Sequence, residues 1–125
     1  AKFSRFTLLA VHPLPPVNKK FFTERNQFLD NIKNWIKEEE NVLICGDFNT
    51  VPWSPFFKDI LNDSKLKNCS QGYGINTSWP TNIPFLRIPI DHCLISESGS
   101  VKKFSRGSDV GSDHFPIIVE YGFSE

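Results

Sequence analysis

The apolar run VLIC at residues 42–45 constrains the fold of this chain more than any other feature. Four consecutive apolar residues are typical of a strand that is covered on both faces. An amphipathic segment precedes this run, because apolar residues recur at helical spacings on one face between Phe21 and Ile36. A strand-like stretch at 3–11 comes before that helix, so this part of the chain predicts a strand–helix–strand unit and an α/β fold.

The remainder of the chain predicts one more helix and three more strands. Ser54-Pro55 suits the start of a short helix at about 55–61, because serine favours the cap position and proline the first turn. The segment 62–87 is rich in Asn, Ser, Gly and Pro and predicts a long loop. Strands are expected at 88–95, 101–105 and 115–121, which makes five strands and two helices in total.

Length, charge and cysteine content limit the classes of protein to consider. A chain of 125 residues has room for one domain, and its 14 basic residues balance its 14 acidic residues. Zero net charge excludes a protein held to nucleic acid by overall charge, although a local basic patch stays open. The three cysteines lack the spacing of metal ligands and are predicted to be free thiols. No apolar run is long enough to span a membrane, and the chain is expected to be soluble as given.

Polar residues fall where the predicted strands begin and end. Two follow the apolar run directly, one is embedded in the strand 88–95, two precede the last strand and one closes the first. Strand ends are where α/β proteins build their sites, so we expect these side chains to share a cleft. The six candidates are Asp47, Asn49, Asp91, Asp113, His114 and His12.

Asp91 is the most informative of these candidates. A carboxylate among apolar residues is costly to bury unless it meets a hydrogen-bond donor, a cation or a metal. Strand alternation directs Asp91 and its neighbour His92 to opposite faces, so we assign Asp91 to the site and His92 to packing. The alternative for Asp91 is a buried carboxylate satisfied by local backbone donors.

The other candidates also have structural alternatives. Asp47 and Asn49 are two residues apart, so on an extended segment they point the same way and can contact one ligand, but they could equally form an Asx turn that ends the strand. His12 could be an ordinary turn histidine, and Asp113-His114 could be a loop that begins a strand.

Aspartates, an amide and imidazoles in one cleft suit divalent-metal chemistry on phosphate esters. Rival sites fit less well. The contiguous residues 112–114, Ser-Asp-His, cannot form a hydrolase triad, and the sequence contains no C-x-x-C pair, no H-E-x-x-H segment and no phosphate-binding glycine-rich loop.

The segments HPLPP, LICGDFNTVPWSP, TSWP, RIPIDHCLIS and GSDHFPIIV occur in an order that is similar to the C-terminal half of the endonuclease/exonuclease/phosphatase superfamily. The resemblance runs from about residue 5 to residue 121 and is greatest to bacterial members of undefined substrate. It implies an α/β fold, here half of a four-layer α/β sandwich with mostly one mixed β-sheet flanked by helices. It also implies hydrolysis of phosphodiester or phosphomonoester bonds with Mg²⁺ or Mn²⁺.

The resemblance also implies roles for four residues in catalysis. Asp47 would orient or deprotonate the attacking water, and Asn49 would hold the phosphate or the site geometry. His114 would donate a hydrogen bond to a non-bridging phosphate oxygen. Asp91 would accept a hydrogen bond from His114 and keep that imidazole protonated.

Two further roles and one departure follow from the same resemblance. Asp113 would be a metal ligand or its close neighbour, and His12 matches a histidine on the substrate side. Family members also contribute an Asn and a metal-binding Glu from their N-terminal half, upstream of the segments matched here. Glu24, on the polar side of the first helix, matches neither of them by motif.

The chain has no Met and opens in a strand-like pattern, so we expect residues 1–125 to be a piece of a longer protein. We expect this piece to be inactive alone and to self-associate through surface that its missing half would cover. Some relatives carry membrane segments ahead of the domain, so membrane anchoring of the longer protein stays open, as does its compartment. Its partner would be a phosphate-ester substrate, with nucleic acid as one class. The alternative function is a non-catalytic binding or interaction module that retains the fold.

Overall fold

A computed structural model describes residues 5–124, in which a four-stranded mixed sheet has two helices on one face and a two-stranded sheet on the other. Positions 3 and 4 of the first predicted strand lie outside the described residues. The elements in chain order are β1 (Thr7–Val11), α1 (Lys19–Trp35), β2 (Val42–Asp47), α2 (Pro55–Ser64), β3 (Lys67–Asn68), a 3₁₀ turn (Pro84–Leu86), β4 (Asp91–Ile95), β5 (Gly99–Arg106) and β6 (Ile117–Phe123).

The four-stranded sheet has the order β1-β2-β4-β3. β1 and β2 are parallel, and α1 connects them, so the predicted strand–helix–strand unit is present. β4 runs antiparallel to β2 on one side and to β3 on the other. β5 and β6 form a separate antiparallel hairpin.

The two faces of β2 and β4 are both covered, as the apolar run predicted. Val42, Ile44 and Leu94 pack against the helices in one core cluster. Leu43 and Ile95 lie in a second cluster with residues of β5 and β6. The predicted α/β fold with a mixed sheet and flanking helices is therefore confirmed, with the refinement that both helices cover the same face.

The helices begin where their capping residues predict. The side chain of Asn18 accepts a hydrogen bond from the backbone N–H of Phe21 at 2.9 Å, which satisfies a donor of the first turn of α1. Pro55 occupies the first turn of α2, and Lys65 ends that helix in the left-handed conformation with φ of 58°.

Several strand boundaries differ from the prediction. The predicted strand 88–95 begins only at Asp91, because Pro89 has no N–H to donate, and Ile88 forms an isolated bridge with Trp79 instead. The hairpin strand β5 begins at Gly99, inside the predicted turn. β6 is shifted towards the C-terminus, and the predicted loop 62–87 contains the two-residue strand β3, so the described chain has six strands rather than five.

Part of the sheet surface has no cover from the described residues. Leu8 on β1 is 59% exposed. Phe6, just before β1, is 43% exposed although its ring stacks on Phe123 and contacts Tyr121 of the hairpin. The expected self-association stays a prediction. Among the helices of the described chain, none combines the length and the apolar character needed to cross a membrane.

Candidate functional site

Asp47 and Asp91 face each other at the ends of β2 and β4, where they are direct partners in the antiparallel register. Hydrogen bonds from Phe48 N to Ile90 O (2.9 Å) and from Ser96 N to the carbonyl of residue 42 (3.0 Å) set the phase of the ladder. In that phase the 47/91 pair is non-hydrogen-bonded, and side chains of such pairs approach most closely. Two carboxylates are thus brought together by the backbone alone.

The imidazole of His114 lies between these carboxylates. Its Nδ1 is 2.7 Å from Asp91 Oδ2, and its Nε2 is 3.6 Å from Asp47 Oδ2. The loop before β6 holds the ring in place through hydrogen bonds from His114 N to Ser112 Oγ and from Phe115 N to the carbonyl of Ser78. Since a carboxylate oxygen only accepts, Nδ1 carries the proton of the bond to Asp91.

This arrangement shifts the pKa values of His114 and Asp47. Burial acts to lower the pKa of His114, but the hydrogen bond and charge of Asp91, with the charges of Asp47 and Asp113, outweigh it and raise that pKa. Burial raises the pKa of Asp47, and the charge of Asp91 adds to that shift, while the hydrogen bond from Asn49 opposes it. The site therefore favours a protonated imidazole beside two carboxylates that repel each other.

The turn after β2 depends on close backbone contacts. Asn49 adopts a left-handed conformation, with φ of 49°, and its N–H donates to Asp47 Oδ1 at 2.8 Å. The Asx turn considered as the structural alternative is therefore present, and it orients the carboxylate. The Asn49 side chain donates to the carbonyl of Pro13 at 2.6 Å. Gly46 is required because a Cβ there would lie 2.0 Å from the carbonyl oxygen of Val11.

Arg25 supports this turn from α1, and the sequence analysis missed it. Its guanidinium donates to the carbonyl of Asn49 at 2.9 Å, donates twice to Asn26 Oδ1, and lies over the rings of Phe22 and Phe56. Only 5% of Arg25 is exposed. The signal in the sequence was a charged residue at a helical spacing within the apolar stripe of α1, since buried charges require partners.

All six predicted residues line one cavity of about 720 Å³. His12 is one of its exposed members, with Nε2 3.5 Å from Asp47 Oδ2. Asp113 lies in the wall and accepts a hydrogen bond from Trp79 Nε1 at 3.4 Å. Trp79 and the prolines after His12 form the apolar side of the same cavity.

His92 lies on the opposite face of the sheet, as strand alternation predicts. Its Nε2 donates to the carbonyl of Thr50 at 2.7 Å, and its ring packs against Phe48 and Phe57. Burial lowers the pKa of His92 to about 4, although the bond to Thr50 opposes this shift. His92 is therefore a neutral packing residue at physiological pH.

One group among the described residues has the geometry to hold a metal ion. Ligand atoms of Asp47, Asp91 and His114 all lie within 4.8 Å of one another, and the three residues are half-buried. The carboxylate oxygens suit a hard divalent ion, whereas His114 can be a ligand only as the neutral imidazole, because both nitrogens of an imidazolium carry protons. Asp113 is not in this group, so its role as a metal ligand stays a prediction.

Comparisons with known proteins are consistent with this geometry. An endonuclease/exonuclease/phosphatase from Bacteroides vulgatus is 20% identical, with a TM-score of 0.71 over 82% of this chain and 45% of its own. A mannosyl-6-phosphatase from Bacteroides thetaiotaomicron is 22% identical, with a TM-score of 0.62 over 94% of this chain and 51% of its own. A 3′ phosphatase from Neisseria bound to product DNA hairpin is 16% identical, with a TM-score of 0.72 over 93% of this chain and 61% of its own.

These structural likenesses establish the fold, and the chain spans about half the length of the proteins it matches. None of the curated proteins matches the sequence. At the level of sequence, the model of the Endonuclease/Exonuclease/phosphatase family matches residues 3–114, a stretch that includes every residue of the cavity described above. The chain therefore belongs to the Endonuclease/Exonuclease/phosphatase family, whose members are metal-dependent phosphoesterases and nucleases.

Proposed function

We propose that the complete protein hydrolyses phosphodiester or phosphomonoester bonds with a divalent metal ion, and that residues 1–125 are the C-terminal half of its catalytic domain. The observation that carries this proposal is the His114 imidazole held between the opposed carboxylates of Asp47 and Asp91 in one open cavity. Family membership supports the reaction class.

His114 is proposed to bind the phosphate. Asp91 holds its Nδ1 and favours the protonated ring, so Nε2 also carries a proton. The 3.6 Å from Nε2 to Asp47 exceeds a good hydrogen bond, so this proton is free to be donated to a non-bridging phosphate oxygen. Such a charge-assisted bond strengthens as negative charge develops on the phosphate in the transition state.

Asp47 is proposed to orient and deprotonate the attacking water. Its raised pKa makes it a better base than an ordinary aspartate, and Asn49 N–H fixes the orientation of its carboxylate. Asn49 is proposed to preserve the site geometry, because its side-chain amide donates a hydrogen bond to the backbone carbonyl of Pro13. His12 at the exposed side of the cavity is proposed to contact the substrate.

A divalent ion, Mg²⁺ or Mn²⁺, is proposed to bind beside the carboxylates of Asp47 and Asp91, with Asp113 as the ligand that the family resemblance implies and a further ligand from the N-terminal half of the domain. When bound, such an ion supplies Lewis acidity towards the phosphate and lowers the pKa of bound water. Trp79 forms an apolar side of the cavity that the organic part of a phosphate ester can contact. This surface is compatible with a nucleic acid or another large leaving group.

The test is hydrolysis by the full-length protein of para-nitrophenyl phosphate, bis-para-nitrophenyl phosphate and a DNA hairpin, with Mg²⁺, with Mn²⁺ and with chelator. We expect Asp47→Asn and His114→Ala to lower kcat by about 10²- to 10⁴-fold, the usual contribution of a positioned acid or base. Asp59→Asn, a change at an exposed carboxylate on α2, is the matched control and should retain full activity. A folded full-length protein as inert as its variants with every substrate and metal would support a non-catalytic binding module instead.

A further inference from the structure

Cys45 and Cys93 are direct partners in the register of β2 and β4, two residues along their strands from Asp47 and Asp91 and on the same face of the sheet. They belong to the same non-hydrogen-bonded set of pairs, in which Cα atoms are about 4.5 Å apart. That spacing lies at the short end of the range of about 4.4–6.8 Å that a disulfide spans. The register therefore places the two cysteines within the range that a disulfide spans.

The two thiols differ in accessibility. Cys45 is half-buried, whereas Cys93 is 5% exposed. Because an oxidant must reach the sulfur atom, Cys45 is the cysteine that it would attack first.

The third cysteine, Cys69, is expected to stay a free thiol. Cys69 is 1% exposed, and burial raises its pKa to about 12. Its backbone N–H donates to the carbonyl of Cys93 at 2.9 Å, which continues the register of β3 and β4. Cys69 and Cys93 therefore form a hydrogen-bonded pair, in which the side chains lie farther apart than in the Cys45/Cys93 pair.

We propose that Cys45 and Cys93 are a redox-sensitive pair, which a peroxide-class oxidant converts to an intramolecular disulfide while Cys69 stays a thiol. The Cys45 thiolate attacks one peroxide oxygen and breaks the O–O bond, which gives a sulfenic acid and, after protonation, water. Cys93 then loses its proton, its sulfur attacks the Cys45 sulfur, and a second water leaves. Two thiols and one hydrogen peroxide thus give one disulfide and two waters.

The order of these steps follows from the exposure of the two thiols. Cys45 is the more accessible sulfur and reacts with the oxidant, and the buried Cys93 directly opposite it then attacks the sulfenic acid. The new cross-link joins β2 and β4 next to the aspartate pair, so it fixes the spacing of the strands that carry the candidate site. The inference itself rests on the register and does not depend on the proposed function.

The experiment treats the reduced, folded protein with one equivalent of hydrogen peroxide, blocks residual thiols with iodoacetamide under denaturing conditions, and measures masses. Trypsin places the three cysteines in separate peptides, 38–58, 68–87 and 88–102. We expect a product two hydrogen masses lighter with a single alkylated thiol in 68–87, and 38–58 joined to 88–102 until reductant is added. The same treatment in denaturant should scramble the pairing.

Variants separate this pair from general thiol oxidation. Cys45→Ser and Cys93→Ser should each abolish the cross-link, whereas Cys69→Ser should leave its rate within about two-fold. An intermolecular disulfide, a bond to Cys69, or Cys45 oxidised to sulfinic acid with Cys93 still reduced would each overturn the proposal. So would three alkylated thiols from the folded protein.

Discussion

The two faces of β2 and β4 carry different chemistry on the same backbone. On the helix face, the paired residues Ile44 and Leu94 are fully buried, and the face ends at the neutral, buried His92. On the hairpin face, three successive pairs change from aliphatic residues to thiols and then to carboxylates as the strands approach the cavity. One face is a core throughout, whereas the other becomes more polar towards its open end.

The two histidines beside these faces show what that difference does. Burial among aromatic rings lowers the pKa of His92, whereas two carboxylates raise the pKa of His114 despite its partial burial. One residue type is therefore neutral on one face and favours its charged form on the other. The lesson is that burial stabilises the helix face, while the open end of the hairpin face holds charges that folding alone does not favour.

The largest expected effect on stability is on the helix face. Leu94→Ala removes a side chain that is 0% exposed in the core cluster with the helices, and should lower the free energy of unfolding by about 2–5 kcal/mol. Cys93→Ala, the neighbouring residue on the other face, is the control and should cost about 1 kcal/mol. Urea unfolding of both variants measures the difference, and equal losses would contradict the contrast between the faces.

The next largest effect on the free energy of unfolding comes from His92 and depends on pH. Its pKa falls from 6.5 to about 4 on folding, so between these values the unfolded chain binds a proton that the native protein excludes. Its contribution to stability is therefore complete above pH 6.5 and is lost as the pH falls to about 4, by about 3 kcal/mol in total.

The measurement is the free energy of unfolding at several pH values in this interval. His92→Gln keeps a side-chain donor for the carbonyl of Thr50 but cannot titrate, so subtraction of its profile isolates the histidine. Parallel profiles for the two proteins would show that His92 has an ordinary pKa.

The smallest effect is expected at the open end of the hairpin face. Asp47→Asn removes one of two directly opposed charges and keeps an oxygen for Asn49 N–H, so at neutral pH it should raise the free energy of unfolding by up to about 1 kcal/mol. The raised pKa of Asp47 gives the same sign, since folding disfavours its charged form. Thermal unfolding without added metal tests this, with Asp59→Asn expected to change nothing; a clear loss of stability would refute it.

Local patterns in the sequence were sufficient for much of the fold. The apolar run at 42–45 predicted a strand covered on both faces, and the spacing from Phe21 to Ile36 predicted α1. Short elements were harder to predict. β3 has only two residues, so it leaves no periodic signal, and its pairing with β4 is a matter of tertiary context.

For the candidate site too, some residues could be predicted from the sequence and others could not. Its residues could be placed at strand ends from the sequence, and strand alternation separated Asp91 from His92. The spacing within α1 marks Arg25 as a buried charge, but its partner is a backbone carbonyl on a distant turn, and only the tertiary structure brings the two together.

The sequence by itself determined which residues are apolar, which alternate and which end a strand, because these properties depend on neighbours along the chain. Only the tertiary structure decided that Asp47 faces Asp91, that His114 lies between them and that Cys45 meets Cys93. The register between distant strands sets those contacts, and it is selected by the fit of whole faces against the helices and the hairpin rather than by any local preference.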